Sequence, residues 1–259
     1  MYLRALYLRN FRNYKDACIE FGPHINYIHG LNAQGKTNLL EAIYFLIIGR
    51  SFRVNSVKDL IREGADSLYI EGHFLKNGIE QKLSIYLSPK TRKITHNSTS
   101  YSSLTKLLGI LQGVILSPED KNLISGGPLL RRRYLDIQIA QTDPLYVHHI
   151  VRYSRAMKQR NHLLRTRTVE SIEIWEKAMA KSASYIVKKR IEIVDILKTR
   201  SSILQNTLSL GKDKLDLYYK TSAPIEKDKE QLENYYRERY LSLRRREMEM
   251  RTSFSGPHR

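Results

Sequence analysis

Cysteine is nearly absent from this chain. Cys18 stands alone among 259 residues, which excludes a disulfide framework and a cysteine-ligated zinc site. Long apolar runs are missing too: none approaches the ~20 residues of a membrane-spanning helix. The opening Met1-Tyr2-Leu3-Arg4-Ala5-Leu6-Tyr7 lacks the apolar core of a signal peptide. A soluble cytoplasmic protein without a membrane partner is expected. Acidic residues are scarce, 26 against 44 lysines and arginines, and the net charge is +18. An excess of that size is foreign to small-molecule enzymes and points to a polyanionic partner, DNA or an anionic membrane surface. Glycine and proline disappear between Leu145 and Leu210. That stretch is too long for one ordinary helix and predicts two or three long helices packed together.

What is present is more specific. Gly30-Leu31-Asn32-Ala33-Gln34-Gly35-Lys36-Thr37 fits G-x-x-x-x-G-K-[ST], the P-loop of nucleotide triphosphate binders. Ile25–His29 reads as a short strand before it. Lys36–Ile48 reads as a helix after it, with Leu39, Leu40, Ile43, Leu46 and Ile47 on an apolar face and Gly49 as the stop. Glycines let the backbone curl so that N–H groups surround phosphate oxygens, and the helix N-terminus adds its dipole. Lys36 is expected to reach the β- and γ-phosphates of ATP, and the Thr37 hydroxyl to coordinate Mg²⁺. Asn32 is placed within reach of the γ-phosphate; Asn38, in the first helical turn, suits either a nucleotide contact or a structural role.

Strand signals recur at Tyr2–Arg9, Ala17–Phe21, Ser67–Phe74, Gln81–Leu87 and Gly113–Leu116, with a hairpin at Asn77-Gly78. Asp143-Pro144 starts a helix, Asp as N-cap and Pro in the first turn. Tyr146, Ile150, Tyr153, Met157 and Leu164 then recur at helical spacing, as do Ile172, Trp175, Met179, Ile186 and Ile193. Pro224 is expected to open a last helix with Glu226 and Asp228 in its first turn and Arg244, Arg245 and Arg246 near its far end. The expected organisation is α/β: a nucleotide-binding lobe over residues 1–123, an inserted long-helix lobe over 124–250, and the start of a return to the first lobe over 251–259.

Basic charge concentrates in the helical half, where Arg131–Arg167 holds nine basic residues against Asp136 and Asp143. Arg131, Arg132 and Arg133 sit near a helix start, where the dipole disfavours them. Arg152, Arg155, Lys158, Arg160, Arg165 and Arg167 extend the patch. A phosphate-backbone contact and a solvated face with structural ion pairs both fit. No recognition helix or zinc finger is visible, so binding would be salt-sensitive and sequence-independent. Tyr134, Tyr146 and Tyr153 are read as a core face rather than a base-stacking platform. Adjacent His148 and His149 point about 100° apart and make a poor metal pair.

Three segments resemble the RecF family of bacterial recombination-repair ATPases, relatives of the SMC and ABC ATPases. They are Leu8–Tyr14; Gly30 through Asn38-Leu39-Leu40-Glu41-Ala42-Ile43-Tyr44 to Gly49-Arg50-Ser51-Phe52-Arg53; and Ser117-Pro118-Glu119-Asp120 through Arg131–Asp136 to Gln159-Arg160-Asn161. The final Gly256-Pro257-His258-Arg259 fits as well. The resemblance implies a P-loop ABC/SMC-like lobe with an inserted helical lobe. It implies ATP sandwiched in a homodimer that clamps DNA, RecR and RecO as partners in RecA loading, and roles in gap repair and the SOS response. It implies that Arg12 and Asn13 meet the adenine and ribose. It also implies that the Walker B carboxylate and signature loop lie beyond Arg259, so that this chain binds ATP without efficient hydrolysis. The family's resemblance to Leu123-Ile124-Ser125-Gly126-Gly127-Pro128 is that of an ordinary linker, capped by Pro128, rather than a signature loop. Ala33 stands where this superfamily often has glycine, which a backbone with φ < 0 tolerates. Related ATPases carry a nucleotide-sensing glutamine after the strand at Gly113–Leu116; here Glu119 and Asp120 are left open. The rival readings are a helical interaction module that reaches DNA only through a RecR-like partner, and a P-loop kinase or transporter ATPase, for which neither a lid nor an early signature loop is visible.

Overall fold

Tyr2–Phe11 forms β1, along which burial alternates from Leu6 to Arg9: Leu6 and Leu8 are buried, Tyr7 and Arg9 exposed. The computed structural model describes residues 1–224 and 228–258, which form two units divided after Asp120. In the first unit β1 turns through Arg12-Asn13 into β2 (Tyr14–Glu20) and pairs on its other edge with β3 (Leu68–Lys76). β3 turns at Asn77-Gly78 into β4 (Ile79–Leu87); both turn residues have positive φ, 53° and 79°, as a type I′ hairpin needs. β5 (Arg92–His96) and β6 (Thr99–Tyr101) complete the antiparallel order β2-β1-β3-β4-β5-β6. These two short strands were not expected, because Lys90-Thr91-Arg92-Lys93 is charged and only Ile94 marks the buried face.

Helix α1 (Lys36–Ile48) packs on this sheet through Leu39, Ala42, Phe45 and Leu46. Gly72 lets it approach: a Cβ there would stand 2.9 Å from Leu46 Cδ1. Gly49, at φ 71°, ends the helix as expected and donates to the Phe45 carbonyl. The fold is thus mixed α and β with an antiparallel sheet. Two expected strands do not form. Ile25–His29 and Gly113–Leu116 carry no ladder among the described residues, and Ile25, Tyr27, Val114 and Leu116 are exposed. An extended segment becomes a strand only where a neighbour supplies the hydrogen bonds.

The second unit is helical: α2 (Asn122–Ser125), α3 (Pro128–Thr142), α4 (Pro144–Thr166), α5 (Ile172–Leu208) and α6 (Lys229–Met250). The Asp143 side chain caps α4 by accepting from the Tyr146 N–H at 3.1 Å, with Pro144 in the first turn. The glycine-free stretch divides into α4 and α5, broken at Arg167 and Ser171, both left-handed. Helix α6 begins later than Pro224; Asp228 is its N-cap in a reciprocal capping box with Gln231, while the expected first-turn residue Glu226 lies outside the described residues.

Two buried arginines tie the helices together. Arg160, wholly buried on α4, donates to Glu176 of α5 at 2.9 Å, to Glu247 of α6 at 2.6 Å and to the Ser253 hydroxyl at 2.8 Å. Arg190 of α5 reaches Asp136 of α3 at 2.7 Å and the Pro257 carbonyl at 2.6 Å. Residues 251–258, expected to begin a return to the first lobe, are therefore fastened within the helical unit. Ser253 donates twice to Asn161 Oδ1, and Tyr153 shares a 2.7 Å hydrogen bond with His258 Nδ1. Gly256 lies so close that a Cβ would fall 2.0 Å from the Tyr153 hydroxyl.

His149 of α4 is buried and stacks on Tyr185 of α5 at 4.3 Å between ring centroids. Burial, then the nearby charges of His148, Lys229, Arg152 and Lys181, push its pKa down to about 4. The unfolded chain, near 6.5, binds the proton more readily. Stability contributed by neutral His149 is therefore complete above about pH 6.5 and lost as pH falls toward 4. His149→Phe is expected to flatten the urea-unfolding stability profile over that window. Arg160→Met strands Glu247 in the interior, leaves Glu176 with Arg244 alone, and is expected to lower unfolding free energy by about 3–5 kcal/mol, measured by urea denaturation.

Candidate functional site

The segment from Gly30 to Thr37 forms an exposed loop running straight into α1. Three residues give it its curl through positive φ: Gly30 at 142°, Ala33 at 65° and Gly35 at 104°. The condition under which a methyl is free of strain at Ala33, φ < 0, is not met. The Ala33 backbone sits in the left-handed region at a cost of about 1–2 kcal/mol. Gly35 is the N-cap of α1, yet no side chain caps the helix and no acid occupies its first turn. The first N–H groups are thus left without side-chain acceptors at the positive end of the dipole, which is what an anion site requires. Lys36 folds back over the loop, donating to the Gly30 carbonyl at 2.7 Å and the Leu31 carbonyl at 2.8 Å. Its ammonium is thereby stationed above the same curl. Thr37 follows in the first turn.

A polar scaffold fixes the loop. Asn13 Nδ2 donates to the Gln34 carbonyl at 3.2 Å, and the Tyr14 hydroxyl donates to the Gly35 carbonyl at 3.2 Å. Asn13 leaves no room beside Gly35, where a Cβ would stand 2.6 Å from Asn13 Nδ2. Asn38 donates to Asn13 at 2.8 Å and accepts from Arg53 at 2.9 Å. Beneath lies Glu41, wholly buried, gripped by Arg12 through two 2.8 Å hydrogen bonds and by the Ser51 hydroxyl. Arg12 also donates to the Asp59 carbonyl at 2.7 Å.

The structure thus gathers Arg12, Asn13 and Asn38 with the loop. Each is engaged with protein groups: Arg12 supports the turn, Asn13 braces the loop backbone, and Asn38 holds the Asn13 side chain. Asn32 lies on the exposed crest. Glu41, Ser51, Tyr14 and Arg53 escaped sequence reasoning as site residues. Glu41 carried a signal: an acid on the apolar side of an amphipathic helix needs a buried cation. Asp120 is occupied as well, accepting from the Ser117 N–H at 2.6 Å and the Ser117 hydroxyl at 3.1 Å. Among the described residues no group of three or more His, Cys, Asp or Glu side chains gathers to hold a metal.

In the helical unit the basic residues sort into three kinds. Arg160 leaves the nucleic-acid set, because it is 0% exposed and saturated by its ion pairs. Arg131 is exposed, yet one Nη1 donates to the Leu123, Ile124 and Gly126 carbonyls, sealing the end of α2. Pro128 opens α3, the helix-capping arrangement anticipated for this linker. Arg133, Arg152, Arg155 and Lys158 are exposed and Arg132 is half-buried. Tyr146 and Tyr153 are buried in the helical core, as their spacing implied.

Glu41→Gln keeps the side-chain volume, removes the charge and leaves the Arg12 guanidinium without its counter-ion. Unfolding free energy is expected to fall by about 2–3 kcal/mol in urea denaturation, with a weakened grip on the loop.

Residues 2–108 match the family model described as RecF/RecN/SMC N terminal domain. The DNA replication and repair protein RecF of Protochlamydia amoebophila is 45% identical over 259 residues, covering 100% of this chain and 72% of that protein. RecF of Geobacillus sp. is 34% identical over 267 residues, covering 100% and 71%. Among solved structures, the recombination mediator protein RecF with ATP matches with a TM-score of 0.92 at 31% identity, covering 100% of this chain and 71% of that one. The corresponding RecF-ATPrS structure matches with a TM-score of 0.91 at 31% identity and the same coverage. The likeness spans both units and extends to curated relatives well above 30% identity, so this chain belongs to the RecF family.

Proposed function

We propose that this chain binds ATP at Gly30–Thr37 and couples that binding to contact with DNA in replication and repair. The uncapped start of α1 beneath a stationed lysine carries the reading. The first-turn N–H groups would donate to phosphate oxygens. Lys36 would exchange two carbonyl acceptors for phosphate oxygens, a stronger charge-assisted pairing. Thr37 offers the hydroxyl for Mg²⁺, whose other ligands would include phosphate oxygens and water. ATP would supply the negative triphosphate charge, which Mg²⁺, Lys36 and the start of α1 would together offset. Asn32 on the crest lies at the γ-phosphate end, and the Arg12–Asn13 turn borders the nucleoside.

DNA falls to the exposed Arg133, Arg152, Arg155 and Lys158 of the helical unit and to the half-buried Arg132. Such contacts address phosphates and carry no sequence information. The RecF relatives named as replication and repair proteins support this assignment. The finer reading follows the family: an ATP-dependent homodimer clamping DNA, RecR-like and RecO-like partners, RecA loading at gaps, a part in the SOS response, and a cytoplasmic location. No helix of the described residues is long and apolar enough to cross a membrane.

Lys36→Ala is expected to weaken fluorescent ATP-analogue binding by tenfold or more, about the loss of a charged hydrogen-bond donor. Unchanged affinity would remove Gly30–Thr37 from nucleotide binding. DNA affinity measured alongside should fall steeply with salt; a chain that binds DNA only when a RecR-like protein is added would transfer the DNA contact to that partner.

A further inference from the structure

A groove of about 660 Å³ runs between α4 and α5 and is edged by α6. Arg152 and Arg155 line it from α4; Trp175, Lys177 and Lys181 line it from α5; Glu233 stands on the α6 side. Helical geometry explains the grouping. Arg152 and Arg155 are three apart, and Lys177 and Lys181 four apart, so each pair shares one helix face. Arg152, Arg155, Lys177 and Lys181 are exposed, and none is ion-paired among the described residues. The one acid cannot balance four cations. Two of them, Arg152 and Lys181, oppose protonation of the neighbouring His149. The other basic clusters of this unit behave differently: Arg160, Arg190 and Arg244 have carboxylate partners. Trp175 is half-buried in the groove, so part of its indole meets solvent between the cations.

We infer that this groove binds single-stranded nucleic acid, with Arg152, Arg155, Lys177 and Lys181 on the phosphates and Trp175 stacked on an unpaired base. The inference rests on the DNA-binding reading above and narrows it to one strand and one place. A duplex offers phosphates and groove edges but keeps its base faces stacked. A recessed indole ring can meet a base face only where the strand is unpaired. The cavity volume lies within the ~300–1,000 Å³ that holds a small-molecule-sized group, enough for a nucleotide and too confined for a double helix. An acidic peptide would satisfy the cations but would leave the indole without a planar partner.

Trp175 is the only tryptophan, so its emission reports on this groove alone. The full chain is titrated at low salt with an oligothymidylate, with a duplex of equal length and with poly-glutamate, following Trp175 emission and the anisotropy of labelled DNA in parallel. The oligothymidylate is expected to quench emission; the duplex and poly-glutamate are not. Lys177→Glu with Lys181→Glu, both exposed, is expected to weaken oligothymidylate binding at least tenfold and to lower the salt slope of log K by about 1.4, two single-strand phosphate contacts. Trp175→Ala should cost roughly tenfold and Trp175→Phe should recover most of it, the pattern of stacking. Circular dichroism verifies that each variant is folded, and unchanged ATP-analogue affinity separates the groove from the P-loop. DNA binding that leaves emission and both variant affinities unaltered would overturn the groove while leaving the DNA-binding reading intact. Quenching by duplex or poly-glutamate equal to that by the single strand would overturn it too. No DNA binding by any measure would remove both.

Discussion

The amino end of α1 has no side chain to satisfy it, and much of the first unit is arranged around that deficit. A helix leaves its first four N–H groups without internal acceptors. Most helices answer with Ser, Thr, Asp or Asn at the N-cap; this one places Gly35 there. A glycine was needed because φ is 104° and because Asn13 occupies the space a Cβ would fill. The consequence is local instability with a use. The loop cannot be held by the helix it starts, so Asn13, Tyr14 and Asn38 hold it from outside, and Glu41 with Arg12 holds the turn that carries Asn13. Rigid support around an unmet demand for anion contacts is the arrangement that makes a binding site rather than a frayed helix end.

The helical unit solves a different problem with the same residue type. Arg160 and Arg190 are taken out of water, which is costly for a guanidinium unless every donor finds an acceptor. Each does so by reaching across sequence: Arg160 joins α4 to Glu176, Glu247 and Ser253, and Arg190 joins α5 to Asp136 and Pro257. A charge that must be matched at several points specifies one packing of the helices, since any sliding of one against another leaves donors empty. The segment 251–258 is placed by these bonds and by the contact between Gly256 and Tyr153, not by secondary structure of its own.

Sequence carried some of this plainly and some not at all. The limits of α1 could be read to the residue, because a P-loop lysine begins it and a glycine ends it. The Asn77-Gly78 hairpin and the Asp143-Pro144 helix start were equally legible, since each depends on neighbours a few positions away. Ile25–His29 and Gly113–Leu116 look like strands because their side chains favour extension, but pairing is a long-range property that composition does not encode. The φ of Ala33 was open for a related reason: its sign is set by the curl of the whole loop, not by alanine's own preference. Glu41 was visible as a letter in the motif but not as the buried anchor of Arg12.

Charge shows the sharpest difference between counting and placing. Counted along the sequence, the nine basic residues from Arg131 to Arg167 read as one patch. Placed in three dimensions they do not act together. One is buried as a structural hub, another neutralises the carbonyl end of α2, and a few remain free on the surface. Meanwhile Lys177 and Lys181, ten residues beyond that run, stand in one groove with Arg152 and Arg155. An ion-paired arginine has little field left to offer a ligand, whereas an unpaired one across a groove from two lysines adds to theirs. The electrostatic character of this surface is therefore decided by which cations lack carboxylate neighbours, and the helix pairing of α4 with α5 decides that, bringing together residues that no window of sequence contains.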